Sequence, residues 1–286
     1  MNQHQVSRQR KSKKRRKKME RRLDILNMGF YRDPFNKTDL LISIDPSYLV
    51  KTDKVDMRCQ FSPIKNQFTL GSCTIFSVIS LLERKHRVQL SEMFAYCHIR
   101  TTSKWEGGKG MTIKDTPAIN FRSALSVLSK KGTCKQTTWP YIKDNIYKIP
   151  DISFLEEADK YKITDYARLE HKDVHPDILL NNIKVLLEAQ IPIICAIILP
   201  LQSLSKEIRK SGILPFCWFS KKGHAVTLVG FDDTKKQIIF RNSWGKDWGD
   251  DGYGYIPYDY IKHQKFYDIW ILLDDIDSHK HIGVQN

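Results

Sequence analysis

A chain of 286 residues, 41% hydrophobic and 11% aromatic, holds enough apolar material for one large core or two smaller ones, which excludes a wholly disordered or collagen-like protein. The formal net charge of +15 is concentrated: residues 8 to 22, "RQRKSKKRRKKMERR", carry eleven Lys/Arg against Glu20, leaving 36 Lys/Arg against 31 Asp/Glu in the rest. The body is therefore ordinary in charge, and a nucleic-acid role extending over the whole chain is excluded.

Residues 1 to 22 form a basic tail that repels itself and buries no apolar surface, so it is expected to be disordered. It suits contact with nucleic acid or another anionic surface through residues 8 to 22, or a nuclear address where the host has a nucleus, or a solvated end without consequence. The basic run is followed by "MERRLDILNMGF" rather than an apolar stretch, so no export signal is visible. The longest apolar run, "IPIICAIILPL" from Ile191 to Leu201, is shorter than the ~20 residues of a spanning helix and reads as a buried strand. A cytoplasmic, non-secreted protein is expected, or one within a virus particle or nucleus. Six cysteines without a C-x-x-C pair suit free thiols.

Residues 23 to 56, with "GFYRDPFNKTD" and "SIDPSYL", read as an extended lead-in. In "SCTIFSVISLLERKHR" the apolar positions Ile75, Phe76, Val78, Ile79 and Leu82 predict an amphipathic helix, with Ser72 as N-cap and Cys73 in the first turn. "NFRSALSVLSKKG", closed by Gly132, and "DILLNNIKVLLEAQ" predict two more helices. Four strand-like runs accompany the last of these: "IPIICAIIL", "HAVTLVGFDD", "QIIFRNSW" and "DIWILL". Helices first and strands second predict an α+β fold of two segregated halves, with a site in the cleft between them.

A thiol in the first turn of a helix lies in the positive field of unpaired N–H groups, which favours the thiolate. A nucleophile of this kind needs a base and an orienting group. His224 starts the strand "HAVTLVGFDD", and Asn242 follows "QIIF" eighteen residues later, so two adjacent strands can bring an amide oxygen to the imidazole N–H. Two other constellations weigh less. "HKDVH", His171 to His175, has metal-ligand spacing but no third ligand nearby, and Pro176 argues for a loop there. Asp232 and Asp233 follow the His224 strand and would serve a Cys-His-Asp set, but Asn242 already supplies the orienting group.

"SPIKNQFTLGSCTIFS", "GHAVTLVGF" and "RNSWGKDWGDDGYGYIPY", in this order, resemble the papain-like cysteine peptidases over about residues 57 to 275. The resemblance implies a two-lobed α+β fold, with a helical lobe at about 57 to 165 and an antiparallel, β-barrel-like lobe at about 166 to 275. A C-terminal tail, 276 to 286, would follow. It implies Cys73 as nucleophile, His224 as base and then acid, Asn242 as the residue orienting His224, and Gln67 as an oxyanion-hole donor beside the Cys73 N–H. Trp244 would shield the Asn–His hydrogen bond. The implied reaction is hydrolysis of peptide bonds in protein or peptide substrates through an acyl-enzyme, by a monomer that needs no cofactor and no metal. Two alternatives remain open: acyl transfer on the same thiol, and a non-catalytic, nucleic-acid-associated protein on a peptidase scaffold.

The sequence departs from the family's usual Cys-Gly-Ser-Cys-Trp at Leu70 and Thr74, removing one disulfide partner and the Trp behind the nucleophile. "LGSCT", "LSEMFAY" and "KKGTCKQTTWPY" instead resemble signal-less bacterial and viral members. For the substrate-binding Gly-Gly strip, Gly107 and Gly108 are the candidates, although counting back from "WPY" points to Ile119 and Asn120. The lead-in lacks the length and helical pattern of the family's inhibitory segment, so either the chain is not a zymogen or something else restrains it.

Overall fold

The computed structural model describes residues 30, 32–34, 36–102, 118–169, 174–200, 205–216, 220, 222–263, 265–276 and 281–285. The basic tail, Gly107, Gly108, His171 and Cys217 lie outside these residues.

The helical lobe is organised around α1 (Cys73–His86), whose residues from Cys73 to Glu83 are all buried. Arg84, Lys85 and His86 occupy its last turn, where cations complement the helix dipole, and Arg87 ends it in the left-handed region at φ 55°. Ser72 precedes the helix without capping it; its hydroxyl instead meets the Tyr141 hydroxyl at 2.8 Å. Alongside α1 run α2 (Glu92–Thr102) and α3 (Phe121–Lys131), the latter capped by Asn120, whose Oδ1 accepts from the Ser123 N–H at 3.0 Å. Gly132 ends α3 at φ 64°, where a Cβ would lie 1.9 Å from the Ala158 carbonyl oxygen. Only glycine fits that turn. Ile75, Ile79, Leu82, Phe121, Leu125 and Leu128 build the core of this lobe.

The strands are β1 (Leu41–Ile44), β2 (Lys54–Asp56), β3 (Tyr166–Leu169), β4 (Ile193–Ile198), β5 (Gly223–Asp232), β6 (Gln237–Arg241), β7 (Tyr253–Pro257), β8 (Phe266–Leu272) and β9 (Ile282–Gln285). They form one sheet in the order β7-β6-β5-β4-β8-β3-β1-β9, with β2 paired to β5. All pairs are antiparallel except β1 with β3. The expected barrel-like closure does not occur. The path ends at β7 and β9, and no pair joins these ends among the described residues. β1 and β9 instead extend the sheet beyond β3, so parts of the lead-in and of the C-terminal segment are strands.

The period of two along the central strands explains how one sheet serves both lobes. On β4, Ile193, Cys195 and Ile197 enter one core, while Ile194 and Ala196 enter the core shared with α1. On β8, Ile269 and Ile271 face the first core and Trp270 and Leu272 the second. A strand buried on both faces reads as an unbroken apolar run, which is what "IPIICAIIL" is. The far face is covered by α4 (Pro176–Glu188). Pro176 does not end a helix but begins one, at a position where its missing N–H costs nothing, and His175 caps it.

Candidate active site

The fold joins three distant segments at one end of the sheet. Residues 65 to 67 pair with 243 to 245: the Gln67 N–H donates to the Ser243 carbonyl at 2.8 Å, the Gly245 N–H to the Lys65 carbonyl at 3.1 Å, and Asn66 bridges Trp244. Beneath them, Lys65 Nζ donates to Glu83 at 2.5 Å and to Glu92 at 2.7 Å, and the Arg241 guanidinium donates to the Ser62 and Pro63 carbonyls. These buried charges hold the stretch before α1 against β6. Burial pushes the Glu92 carboxyl up to about 7.

Cys73 is the first residue of α1, 2% exposed. α1 packs on β5, and the backbone N–H of Ala225, one residue after His224, reaches the thiol. Burial raises the thiol above its ordinary value, opposed by the backbone N–H groups of Ala225 and Thr74, which favour the thiolate. The Thr74 hydroxyl donates to the Ile119 carbonyl at 2.6 Å. Gly71 lies against Ala118. The segment running along the start of α1 is thus 118 to 120, the place reached by counting back from "WPY".

His224 and Asn242 meet as their strands predict. His224 Nε2 lies 2.9 Å from Asn242 Oδ1, and the same oxygen accepts the Ser243 N–H at 2.8 Å. A backbone N–H can only donate, so it fixes which end of the Asn242 amide is oxygen, and that oxygen requires a proton on His224 Nε2. Neutral His224 therefore keeps Nδ1 bare, as a base needs. Burial lowers the imidazole to about 4, with the Asn242 hydrogen bond opposing. The Trp244 indole stacks on the imidazole at a centroid distance of 4.7 Å and 30° between planes, and Trp248 meets Trp244 edge-on at 5.2 Å. His224 and Asn242 are themselves buried.

Gln67, fully buried, has its Oε1 held by the Ser243 hydroxyl at 2.5 Å, while its Nε2 donates to the Leu70 carbonyl at 2.8 Å. Ser243 was not singled out in the sequence, yet it fixes both Gln67 and Asn242. A serine beside an asparagine carries no signal of such a role.

This arrangement has a counterpart among known proteins: residues 50–267 match the model for the papain family cysteine proteases. The chain belongs to the papain family. It is a cysteine-type peptidase with the papain-like α+β fold. A peptidase C1-like protein of Acanthamoeba polyphaga mimivirus is 27% identical, the match covering 88% of each chain. Chymopapain of Carica papaya is also 27% identical over 79% of this chain and 61% of that one. Among solved structures, xylellain, a cysteine protease from Xylella fastidiosa, superposes with a TM-score of 0.71 at 25% identity, covering 86% of this chain and 95% of that one. Cys59, Cys73, Cys97, Cys134 and Cys195 are free thiols. Among the described residues no helix is long and apolar enough to cross a membrane, and no three His, Cys, Asp or Glu side chains gather as metal ligands.

Proposed function

We propose that the protein is an endopeptidase in which Cys73, His224 and Asn242 act as a triad and peptide bonds are hydrolysed through an acyl-enzyme. The observation that carries this reading is the His224 Nε2 contact to Asn242 Oδ1 under Trp244, beside a thiol at a helix N-terminus. Substrate binding brings a carbonyl to Cys73 Sγ, and the thiol proton passes to His224 Nδ1 as sulfur attacks. The oxyanion is met by the Cys73 N–H and Gln67 Nε2. Imidazolium then protonates the leaving amine, the C–N bond breaks, and a thioester to Cys73 remains. Water, deprotonated by His224, releases the acid and restores the thiol.

The resulting picture includes two lobes at about 57 to 165 and 166 to 275, and action in a reducing compartment, supported by the free thiols. The test is turnover of a denatured protein and of fluorogenic peptides by the full chain and by Cys73→Ala. Loss of cleavage in the variant supports the reading, and equal cleavage by both sinks it. Products analysed with added amines separate hydrolysis from acyl transfer.

A further inference from the structure

Tyr141, which ends the stretch "KKGTCKQTTWPY", has no place in the triad, yet its hydroxyl reaches the loop that leads into Cys73. It donates to the Gln67 carbonyl at 3.2 Å and lies 2.8 Å from the Ser72 hydroxyl. A phenol has one proton and a carbonyl can only accept, so the Ser72 hydroxyl donates to Tyr141 Oη. One phenol oxygen thus joins the two ends of the loop: Gln67 at its start, and Ser72, the residue before Cys73. Within the loop the Leu70 N–H donates to the Gln67 carbonyl at 3.2 Å and the Ser72 N–H to the Leu70 carbonyl at 2.8 Å. Ser243 holds Gln67 from the strand side, and Tyr141 holds it from the helical side.

Tyr141 is itself anchored. Its ring meets Phe76 of α1 edge-on, with centroids 4.9 Å apart. The turn that carries it is held where the Ser91 hydroxyl donates to the Trp139 carbonyl and where Nδ2 of the buried Asn145 donates to the Pro140 carbonyl at 3.0 Å. Burial raises the phenol far above its ordinary value, opposed by the Ser72 hydrogen bond, and the negative forms of Glu92, Tyr96 and Cys73 raise it further. The hydroxyl therefore keeps its proton, and stays a donor, at any pH at which the thiol works.

We propose that Tyr141 is a positioning residue for the oxyanion hole: its hydroxyl ties the Gln67 carbonyl to the Ser72 side chain and so fixes the separation of the two groups that meet the oxyanion, Gln67 Nε2 and the Cys73 N–H. The inference rests on the reading of Cys73 and Gln67 given above. The separation counts because both donors must meet one oxygen at once, and a displacement of ~1 Å in either costs rate steeply. Substrate binding, which precedes the oxyanion, does not depend on it.

The test uses the full chain, a fluorogenic peptide and Tyr141→Phe, which keeps the ring against Phe76 and removes only the hydroxyl. The variant should lose ~10-fold in kcat with KM within ~2-fold of wild type. Alkylation of Cys73 by iodoacetamide, in which the thiolate displaces iodide and no oxyanion forms, should stay within ~2-fold. In a Gln67→Ala background there is no second donor to keep in register, so the same substitution should change kcat less than ~2-fold. Ser72→Ala breaks the bridge at its other end and should give the same pattern. An unchanged kcat in Tyr141→Phe, equal factors in the two backgrounds, or alkylation slowed as much as kcat would each overturn the proposal, because Tyr141 would then act on the fold or the thiol and not on the oxyanion hole. A wild type that neither cleaves the peptide nor is alkylated at Cys73 would overturn the triad reading, and the role of Tyr141 with it.

Discussion

His224 should make the fold acid-sensitive, by an amount that follows from its burial. Its folded value is depressed from 6.5 to about 4. As pH falls below 6.5 the unfolded chain takes up a proton that the native imidazole refuses until about 4. Stability is therefore complete above 6.5 and is lost progressively as pH falls through that window. The whole depression amounts to about 3 kcal/mol, most of which is lost by pH ~4.5. The perturbation is His224→Gln, which removes the titration. The assay is urea unfolding of both proteins at pH ~7 and pH ~4.5, with the two losses subtracted. Glu92 and Asp268, which burial pushes up to about 7, act in the opposite sense, gaining stability as pH falls; they are present in both proteins and cancel in the subtraction. Wild type should lose about 2 to 3 kcal/mol more than the variant. Equal losses would refute the reasoning, because the imidazole would then not be held neutral by burial.

The same values set the rate profile. Only the Cys73–His224 pair carrying one proton reacts, whichever atom holds it, so kcat/KM against a fluorogenic peptide should be bell-shaped. Its acid limb should lie at about 4 and its alkaline limb above 9; an acid limb near 6.5 would contradict the buried imidazole. Gln67→Ala should lower kcat ~100- to 1000-fold with the fold intact, as loss of one oxyanion donor does, and a kcat near wild type would remove Gln67 from that role. Ser243→Ala, which frees the Gln67 amide from one hydrogen bond, should lower kcat ~5-fold with KM held, measured on the same peptide. A change in KM alone would mean Ser243 does not position Gln67 for the reaction.

The site was legible in the sequence because its chemistry lies in short stretches whose local structure is decided locally. The apolar stripe from Ile75 to Leu82 forces a helix whose first turn holds Cys73, and two apolar strands separated by "DTKK" must pair, which brings His224 to Asn242. What stayed hidden depends on contacts between remote residues. Leu41–Ile44 pairs with Ile282–Gln285, about 240 positions away, and neither stretch shows a strong alternation. Ser72 resembles an N-cap, yet the Tyr141 hydroxyl takes its side chain. Gly107 and Gly108 drew attention as a glycine pair, while the segment beside Gly71 and Thr74 is 118 to 120, held by a threonine hydroxyl that no pattern reveals. Gly223 is of the same kind: a glycine before a histidine looks like a motif letter, yet a Cβ there would come within 2.1 Å of Tyr267 Oη, on a strand the sequence does not mark as its neighbour.

We propose that His224 activates the Cys73 thiol. It is tested most directly by labelling wild type and His224→Ala with an epoxide-type inhibitor of papain-like enzymes, followed by peptide mapping. Stoichiometric modification at Cys73 is expected in the wild type, and its loss in the variant. Labelling that is absent, or spread over several cysteines and indifferent to His224, would contradict it.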